Sequence, residues 1–235
     1  MLNVSNSEVE WLKKSYPDLT FDYGTPSIIK GLFKFDAIYD TLRVRDAYEI
    51  KITLSERSPS MLPVVKETGG RIKKAKEKHG KDSFADVHLY ADDASCLCTY
   101  PEEKIKLPNG FNLKDFFEFL LIPHFYAQSQ FEKTGRWIWG ERSHGSLGHF
   151  ESYLDFGNKN NPDLVKKYLE DLKKIPDSER FLRLLSRKDK IKGHVNCYCG
   201  SNKEFRKCHP EAFKGLWSLR EDAWNMGIKL NDVIR

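Results

Sequence analysis

Several features are scarce in this 235-residue sequence, and each scarcity excludes a class of protein. No apolar run is long enough to span a bilayer, so the sequence does not predict a membrane protein. The first ten residues are polar and acidic and show no signal-peptide pattern, so we expect a soluble, cytoplasmic protein. Cysteines number five, an odd count, and three lie within residues 197–208, which indicates metal binding rather than a disulfide framework.

The composition predicts a folded protein with a substantial core. Hydrophobic residues make up 40% of the sequence and aromatic residues 13%, and the length suits one good-sized domain with a smaller one. A short helix is predicted at residues 5–16, and β-strands are predicted at 19–23, 28–36 and 47–54. In the third strand apolar and polar residues alternate, which is typical of a half-buried antiparallel strand. From Asn112 onwards, which can cap a helix, helical patterns predominate.

Residues 86–101, DVHLYADDASCLCTYP, hold the candidate catalytic residues. Residues 86–90 are predicted to form a strand and residues 92–95 a turn. On an extended segment the side chains of Cys96 and Cys98 point to opposite sides, so one thiol can be buried while the other faces solvent. A solvent-facing thiol beside a turn is a candidate nucleophile. The alternative is that both thiols are buried packing residues.

A basic segment at residues 68–81 carries six lysine and arginine residues against one glutamate. It is predicted to be a surface loop or a short exposed helix, which is how most charge runs are used. The alternative is a docking surface for an acidic protein or for nucleic acid. No aromatic residue is interleaved with these lysines, which disfavours nucleic acid.

Four residues of metal-binding type lie within thirteen positions near the end of the sequence. Cys197 and Cys199 precede a Gly-Ser turn, and Cys208 and His209 follow it, so the chain can fold back and bring both pairs to one ion. Three thiolates and one imidazole form a tetrahedral set that structural zinc prefers, and they leave no open position for catalysis. Such a short segment has almost no core, so metal binding supplies much of its folding free energy. Three unrelated thiols are the disfavoured alternative.

The pattern C-x-C-G-S followed by K-x-F-R-K-C-H, within residues 196–210, resembles the SEC-C motif. This zinc knuckle ends the SecA translocation ATPase and is appended to many bacterial proteins. The resemblance implies a knuckle that docks to proteins or ribosomes. A terminal helix is predicted at residues 211–232, packed on the knuckle or on the main domain.

The order of elements in residues 5–153 resembles the ubiquitin-conjugating enzyme (UBC) fold in a divergent prokaryotic form. Pro59 and Pro63 match the proline-rich segment that follows the third strand of that family. His88 matches the histidine of the family's His-Pro-Asn motif, and Cys98 lies ten residues later, a spacing common for the catalytic cysteine. The resemblance therefore implies that Cys98 is the nucleophile and that His88 braces its loop.

The resemblance also implies an α+β fold class, with an antiparallel β-meander flanked by helices and a small C-terminal zinc knuckle. It places a UBC-like domain at residues 1–156, a helical connector at 157–190, and the SEC-C motif with its terminal helix at 191–235. The chain departs from the family at Tyr90, which stands where the family has an oxyanion-stabilising asparagine. An insertion that includes the basic segment also precedes His88.

The chemistry implied by the resemblance is that of a cysteine transferase. Cys98 accepts the C-terminus of a ubiquitin-like or other protein donor as a thioester, and an amine of a protein acceptor then attacks it. Cys96 competes with Cys98 for this role. Similar proteins belong to bacterial antiphage operons, where they are thought to modify a cyclic-nucleotide synthase. The alternative is a non-catalytic scaffold that binds partners through the knuckle and the basic segment.

Overall fold

The structure is a computed structural model that describes residues 2–56, 62–140, 142–143, 145–157, 161–187, 189 and 191–229. The chain forms two compact units. The first unit consists of Met1–Cys98 with Lys106–Gly140, and the second consists of Thr99–Ile105 with Glu141–Arg235. The short segment after Cys98 therefore belongs to the second unit, although the chain returns to the first unit after it.

The strands are β1 (Leu19–Asp22), β2 (Ile28–Tyr39), β3 (Leu42–Glu56) and β4 (Pro63–Glu67). The helices are α1 (Asn6–Ser15), α2 (Arg71–Lys78), α3 (Tyr100–Lys106), α4 (Leu113–Phe116), α5 (Ile122–Thr134), α6 (Gly145–Phe156), α7 (Pro162–Leu172), α8 (Glu179–Leu185), α9 (Phe205–Cys208) and α10 (Pro210–Asn225). Within the described ranges, none of these helices has the length and apolar character needed to cross a bilayer. Helix α6 packs against α10 within the second unit. The predicted domain boundaries at residues 156 and 190 stay predictions.

The four strands form one antiparallel sheet in the order β1-β2-β3-β4, so the predicted α+β class and antiparallel meander are confirmed. Alternate residues of β3, from Tyr48 to Leu54, are at most 1% exposed, as the apolar alternation predicts. A two-residue turn joins β2 to β3, and Asp40 in this turn adopts a φ of 55°, a conformation that aspartate tolerates better than most residues. Helix α5 packs against β2 and β3 and covers the buried face of the sheet.

Helices α4 and α5 are joined by a π-helical turn at Phe117–Leu121. The Asn112 side chain accepts a hydrogen bond from the Asp115 amide at 2.8 Å, so the predicted cap is confirmed. Pro123 has no amide proton to donate to the preceding turn, and the π-helical turn lies immediately before it. Phe116, Phe117 and other apolar residues of α4 and of the π-helical turn are fully buried. Helix α4 packs against α1.

Of the two alternatives predicted for the basic segment, a surface loop or a short exposed helix, the structure has a helix, α2, which buries Ile72 and Ala75. Arg71 at its start connects it to the rest of the first unit. The Arg71 guanidinium donates to Asp46 at 2.9 and 3.1 Å, also pairs with Glu132, and lies 4.1 Å from the centre of the Tyr48 ring. Ser129 donates to the same Asp46 carboxylate at 2.8 Å. Burial raises the pKa of Asp46, but the hydrogen bonds and charge of Arg71, with Ser129, outweigh it and hold this pKa below its ordinary value.

We expect Arg71→Met to lower the free energy of unfolding by about 1–3 kcal/mol at pH 7, because it leaves the half-buried Asp46 carboxylate without its cation. The folded-state pKa of Asp46 lies below the unfolded value, so the pair contributes fully above about pH 4. This contribution is lost as pH falls through the lower, folded-state pKa. Urea unfolding at pH 7 and in acid measures the effect, and the exposed Lys74→Met is the matched control. An equal loss in both variants would contradict this account.

The second unit is built around α6 and α10. The Tyr153 hydroxyl on α6 donates to the Asp222 carboxylate on α10 at 2.6 Å, and burial together with this bond raises the pKa of Tyr153. Gly215 allows α10 to approach α6 so closely that a Cβ there would lie 1.8 Å from the Phe150 carbonyl oxygen. Helix α10 confirms a terminal helix, but it ends at Asn225, before the predicted end at residue 232, and residues 226–229 are not helical. Positions 230–232 of the prediction lie outside the described residues.

Candidate metal centre and cysteine site

Cys197, Cys199, Cys208 and His209 come together in the second unit, as the sequence predicts. Their ligand atoms all lie within 4.8 Å of one another. The Cys197 sulfur is 3.1 Å from His209 Nδ1, and the Cys199 sulfur is 3.6 Å from the Cys208 sulfur. The four side chains can therefore hold a metal ion.

The local backbone explains how thirteen residues bring these ligands together. The Cys197 amide donates to the Lys203 carbonyl at 2.7 Å, which closes the turn that contains Gly200. Gly200 adopts a φ of 83°, a left-handed conformation that glycine adopts without strain. Helix α9 then returns the chain, and the Cys208 amide donates to the Glu204 carbonyl at 2.8 Å.

The thiols of this cluster have different electrostatic environments. Hydrogen bonds from Ser201 lower the pKa of Cys199 to about 7, so this exposed thiol ionises readily. Burial raises the pKa of Cys197 to about 11. The Ser201 hydroxyl also lies 3.0 Å from the Cys208 sulfur. A bound cation favours the thiolate form at each position, because only thiolates act as metal ligands.

The segment that contains His88 differs from the prediction. Residues 86–90 do not form a strand, because Ala85–Val87 is a 3-10 helix and His88 follows it in a left-handed conformation with φ 53°. The cause is local: the Ser83 amide donates to the Asp86 carboxylate at 2.9 Å, and the Asp86 amide donates to the Ser83 hydroxyl at 3.2 Å. These reciprocal bonds favour a helical turn over an extended strand.

This turn brings His88 next to the cysteine segment. The His88 carbonyl accepts a hydrogen bond from the Cys96 amide at 2.8 Å. The His88 imidazole packs edge-on against the Trp137 ring at 4.4 Å between centres. Cys96 and Cys98 are both half-buried, so the predicted contrast between one buried and one solvent-facing thiol is not observed. Cys98 packs against the core of the first unit.

Two residues that the sequence analysis missed support the His88 turn from α5. Gln128 donates to the Val87 carbonyl at 2.8 Å. His124, one helical turn earlier, is buried, and burial with a smaller effect of His88 lowers its pKa to about 3. The spacing of His124 and Gln128 marks a polar pair on one helix face. The contact of Gln128 with the His88 turn could not be found from sequence, because 41 positions separate Gln128 from Val87.

The structure describes two of the three other residues that the sequence analysis compared with the UBC family. Pro63 begins β4, and Pro59 lies outside the described residues. Tyr90 is 39% exposed beyond the His88 turn. Chemically, the first unit offers a half-buried thiol beside a braced turn, and the second offers a four-ligand metal cluster. Comparisons with protein-family models, curated proteins and solved structures find no match to this chain.

Proposed function

We propose that this chain is a ubiquitin-conjugating-like protein that carries a protein C-terminus as a thioester on Cys98, and that structural zinc holds its Cys₃His knuckle. The observation that carries the enzymatic part is the hydrogen bond between the Cys96 amide and the His88 carbonyl, at 2.8 Å. It ties the cysteine segment to the His88 turn. The turn lies after an N-terminal helix and an antiparallel meander and before a long helix, the order that the UBC resemblance implies.

Zinc is the metal that the donor set favours. Three thiolates and an imidazole suit a tetrahedral zinc ion, and hard cations such as magnesium prefer oxygen ligands. Four protein ligands leave no position for water or substrate. The zinc therefore stabilises the knuckle and takes no part in acyl transfer.

The transfer needs only modest help from the protein. The Cys98 thiolate attacks the carbonyl carbon of an activated donor C-terminus, itself a thioester, and the donor thiolate leaves. An amine of the acceptor then attacks the Cys98 thioester, so that an amide forms and Cys98 leaves as a thiolate while the amine loses a proton to water. Both steps depend on positioning and on stabilising an oxyanion. His88 holds the loop through its backbone carbonyl.

The partners of this reaction are a protein acyl donor and a protein acceptor. By analogy with similar bacterial antiphage proteins, we propose a cyclic-nucleotide synthase as the acceptor, with the knuckle as a docking element. A gene for an adenylating enzyme or a nucleotidyltransferase beside this one would support that assignment.

We expect the zinc-loaded protein to form an adduct on Cys98 when it is mixed with a glycine-ending peptide thioester, because a thiolate exchanges readily with a thioester. Intact-mass spectrometry detects the adduct, and excess dithiothreitol removes it. Cys98→Ala abolishes it, whereas Cys96→Ala retains it. Cys98→Ser accepts the acyl group more slowly as an ester that resists dithiothreitol.

The competing function is a non-catalytic scaffold, which is favoured by the packing of Cys98 against the core of the first unit. Maleimide labelling of the native protein, followed by peptide mapping, separates the two functions. Labelling of Cys98 with adduct formation supports the enzyme. Failure of both Cys96 and Cys98 to label supports the scaffold, and an adduct that depends on Cys96 moves the catalytic role to that residue.

A further inference from the structure

Positive charge is concentrated around the metal cluster. Residues 180–207, here called the basic knuckle segment, contain nine lysine and arginine residues against two acidic residues. Their formal charge of +7 exceeds the +5 of the whole chain. Every lysine and arginine of this segment that the structure describes is exposed. The segment therefore offers a strongly positive surface to a partner.

Nearby carboxylates only partly neutralise this charge. Arg180 pairs with Asp177 at 3.2 Å, and Arg183 pairs with Glu179. Glu204 pairs with both Arg206 and Lys207 at 3.0 and 3.2 Å. The cations of these pairs are largely exposed, and exposed ion pairs contribute at most about 1 kcal/mol. A phosphate group can compete with carboxylates for such cations.

An aromatic ring lies among these arginines. Tyr198, between two of the metal ligands, is half-buried, and the Arg180 guanidinium lies 5.2 Å from the centre of its ring and 5.1 Å from that of Phe181. The Phe205 ring supports Tyr198 from within at 5.2 Å. The knuckle thus holds one aromatic ring beside the exposed Arg180 guanidinium.

We infer that the basic knuckle segment binds single-stranded nucleic acid, with phosphates on Arg180 and Arg187 and a base stacked against Tyr198 and the Arg180 guanidinium. Single-strand binding combines a positive surface with aromatic and arginine stacking, and both are present here. An acidic polypeptide could use the charge but has no base to stack on the ring. This binding is independent of the thioester chemistry proposed for Cys98.

The test uses the full-length, zinc-loaded chain and fluorescein-labelled oligo-U and oligo-dT of 20 nucleotides, with anisotropy measured over a series of KCl concentrations. Affinity is expected to fall steeply with salt, and Arg180→Ala and Arg187→Ala each reduce the slope of log K against log salt by about 0.7. Tyr198→Ala weakens binding roughly tenfold, whereas Tyr198→Phe binds as the unmodified chain does. Equal affinity for the two oligomers indicates recognition of backbone and stacking alone, and tighter RNA binding indicates contacts to the 2′-hydroxyl.

The matched control is Lys73→Ala combined with Lys74→Ala, which removes two exposed charges from α2 in the first unit. It is expected to leave affinity unchanged within about twofold, because charge outside the binding surface is screened. Zinc content and circular dichroism confirm that each variant is folded. A further variant, Arg180→Lys, keeps the positive charge but loses the planar group that stacks on a base. Salt-independent binding, an equal loss in the control, or equal competition by poly-glutamate would overturn the inference.

Discussion

Removal of the metal ion from the Cys₃His cluster is expected to unfold the knuckle and to lower the melting temperature of the second unit. Structural zinc contributes on the order of 10–16 kcal/mol to the folding of segments of this size. The loss extends beyond the knuckle, because Cys197 and Phe205 are part of the buried core of the second unit. Thermal unfolding followed by circular dichroism, with and without excess chelator, measures the effect, and added zinc is expected to restore the signal.

Single substitutions separate metal loss from other effects of the chelator. Cys208→Ser is expected to reduce metal content and to reproduce the destabilisation, because it removes one of four ligands. Cys96→Ser, which changes a half-buried cysteine outside the cluster, is expected to keep one zinc ion per chain. A melting temperature that does not respond to chelator, or full metal content in Cys208→Ser, would contradict the assignment of these ligands.

The second large effect is expected for Gly215→Ala. A methyl group at this position would lie 1.8 Å from the Phe150 carbonyl oxygen, so α10 and α6 must separate to accept it. Overpacking typically costs about 1–3 kcal/mol, and a clash with backbone lies at the upper end of that range. This loss outweighs the gain of up to about 1 kcal/mol that alanine normally brings to a helix. Thermal unfolding should show a decrease of roughly 4–8 °C, from a net loss of about 2 kcal/mol.

Ser218→Ala on the same helix is the matched control, because Ser218 is half-buried and the change removes an atom rather than adding one. It is expected to change the free energy of unfolding by less than about 1 kcal/mol. Wild-type stability in Gly215→Ala would mean that α6 and α10 are not packed at this distance.

The features predicted correctly are those that depend on local patterns. The period of two in β3 marks its buried face, and the meander follows from strands separated by short turns. The metal cluster was also predictable, because all four ligands lie within thirteen residues and a glycine turn closes the loop between them. In both cases the residues that form the pattern and the residues that come into contact lie close together in the sequence.

The features that could not be predicted from the sequence depend on contacts between residues far apart in the chain or on competing local hydrogen bonds. Gln128 and Val87 are 41 positions apart in the sequence and are joined by a hydrogen bond. At residues 86–90, β-forming side chains predicted a strand, but the reciprocal bonds of Ser83 and Asp86 select a helical turn. The β-propensity of the side chains alone does not reveal whether a strand or a helical turn is the more stable local conformation.

The path of the chain between its two units limits how the protein can be divided. Thr99 bonds to Ser152 at 3.2 Å, and Glu102 pairs with Arg142 at 2.9 Å, so α3 is held by residues that come after residue 140. A fragment that starts at residue 141 lacks these partners, and a fragment that ends at residue 140 carries α3 without them. No single cut therefore yields two intact halves, and separate expression of the part that carries the Cys₃His cluster requires α3 to be grafted back or supplied as a peptide.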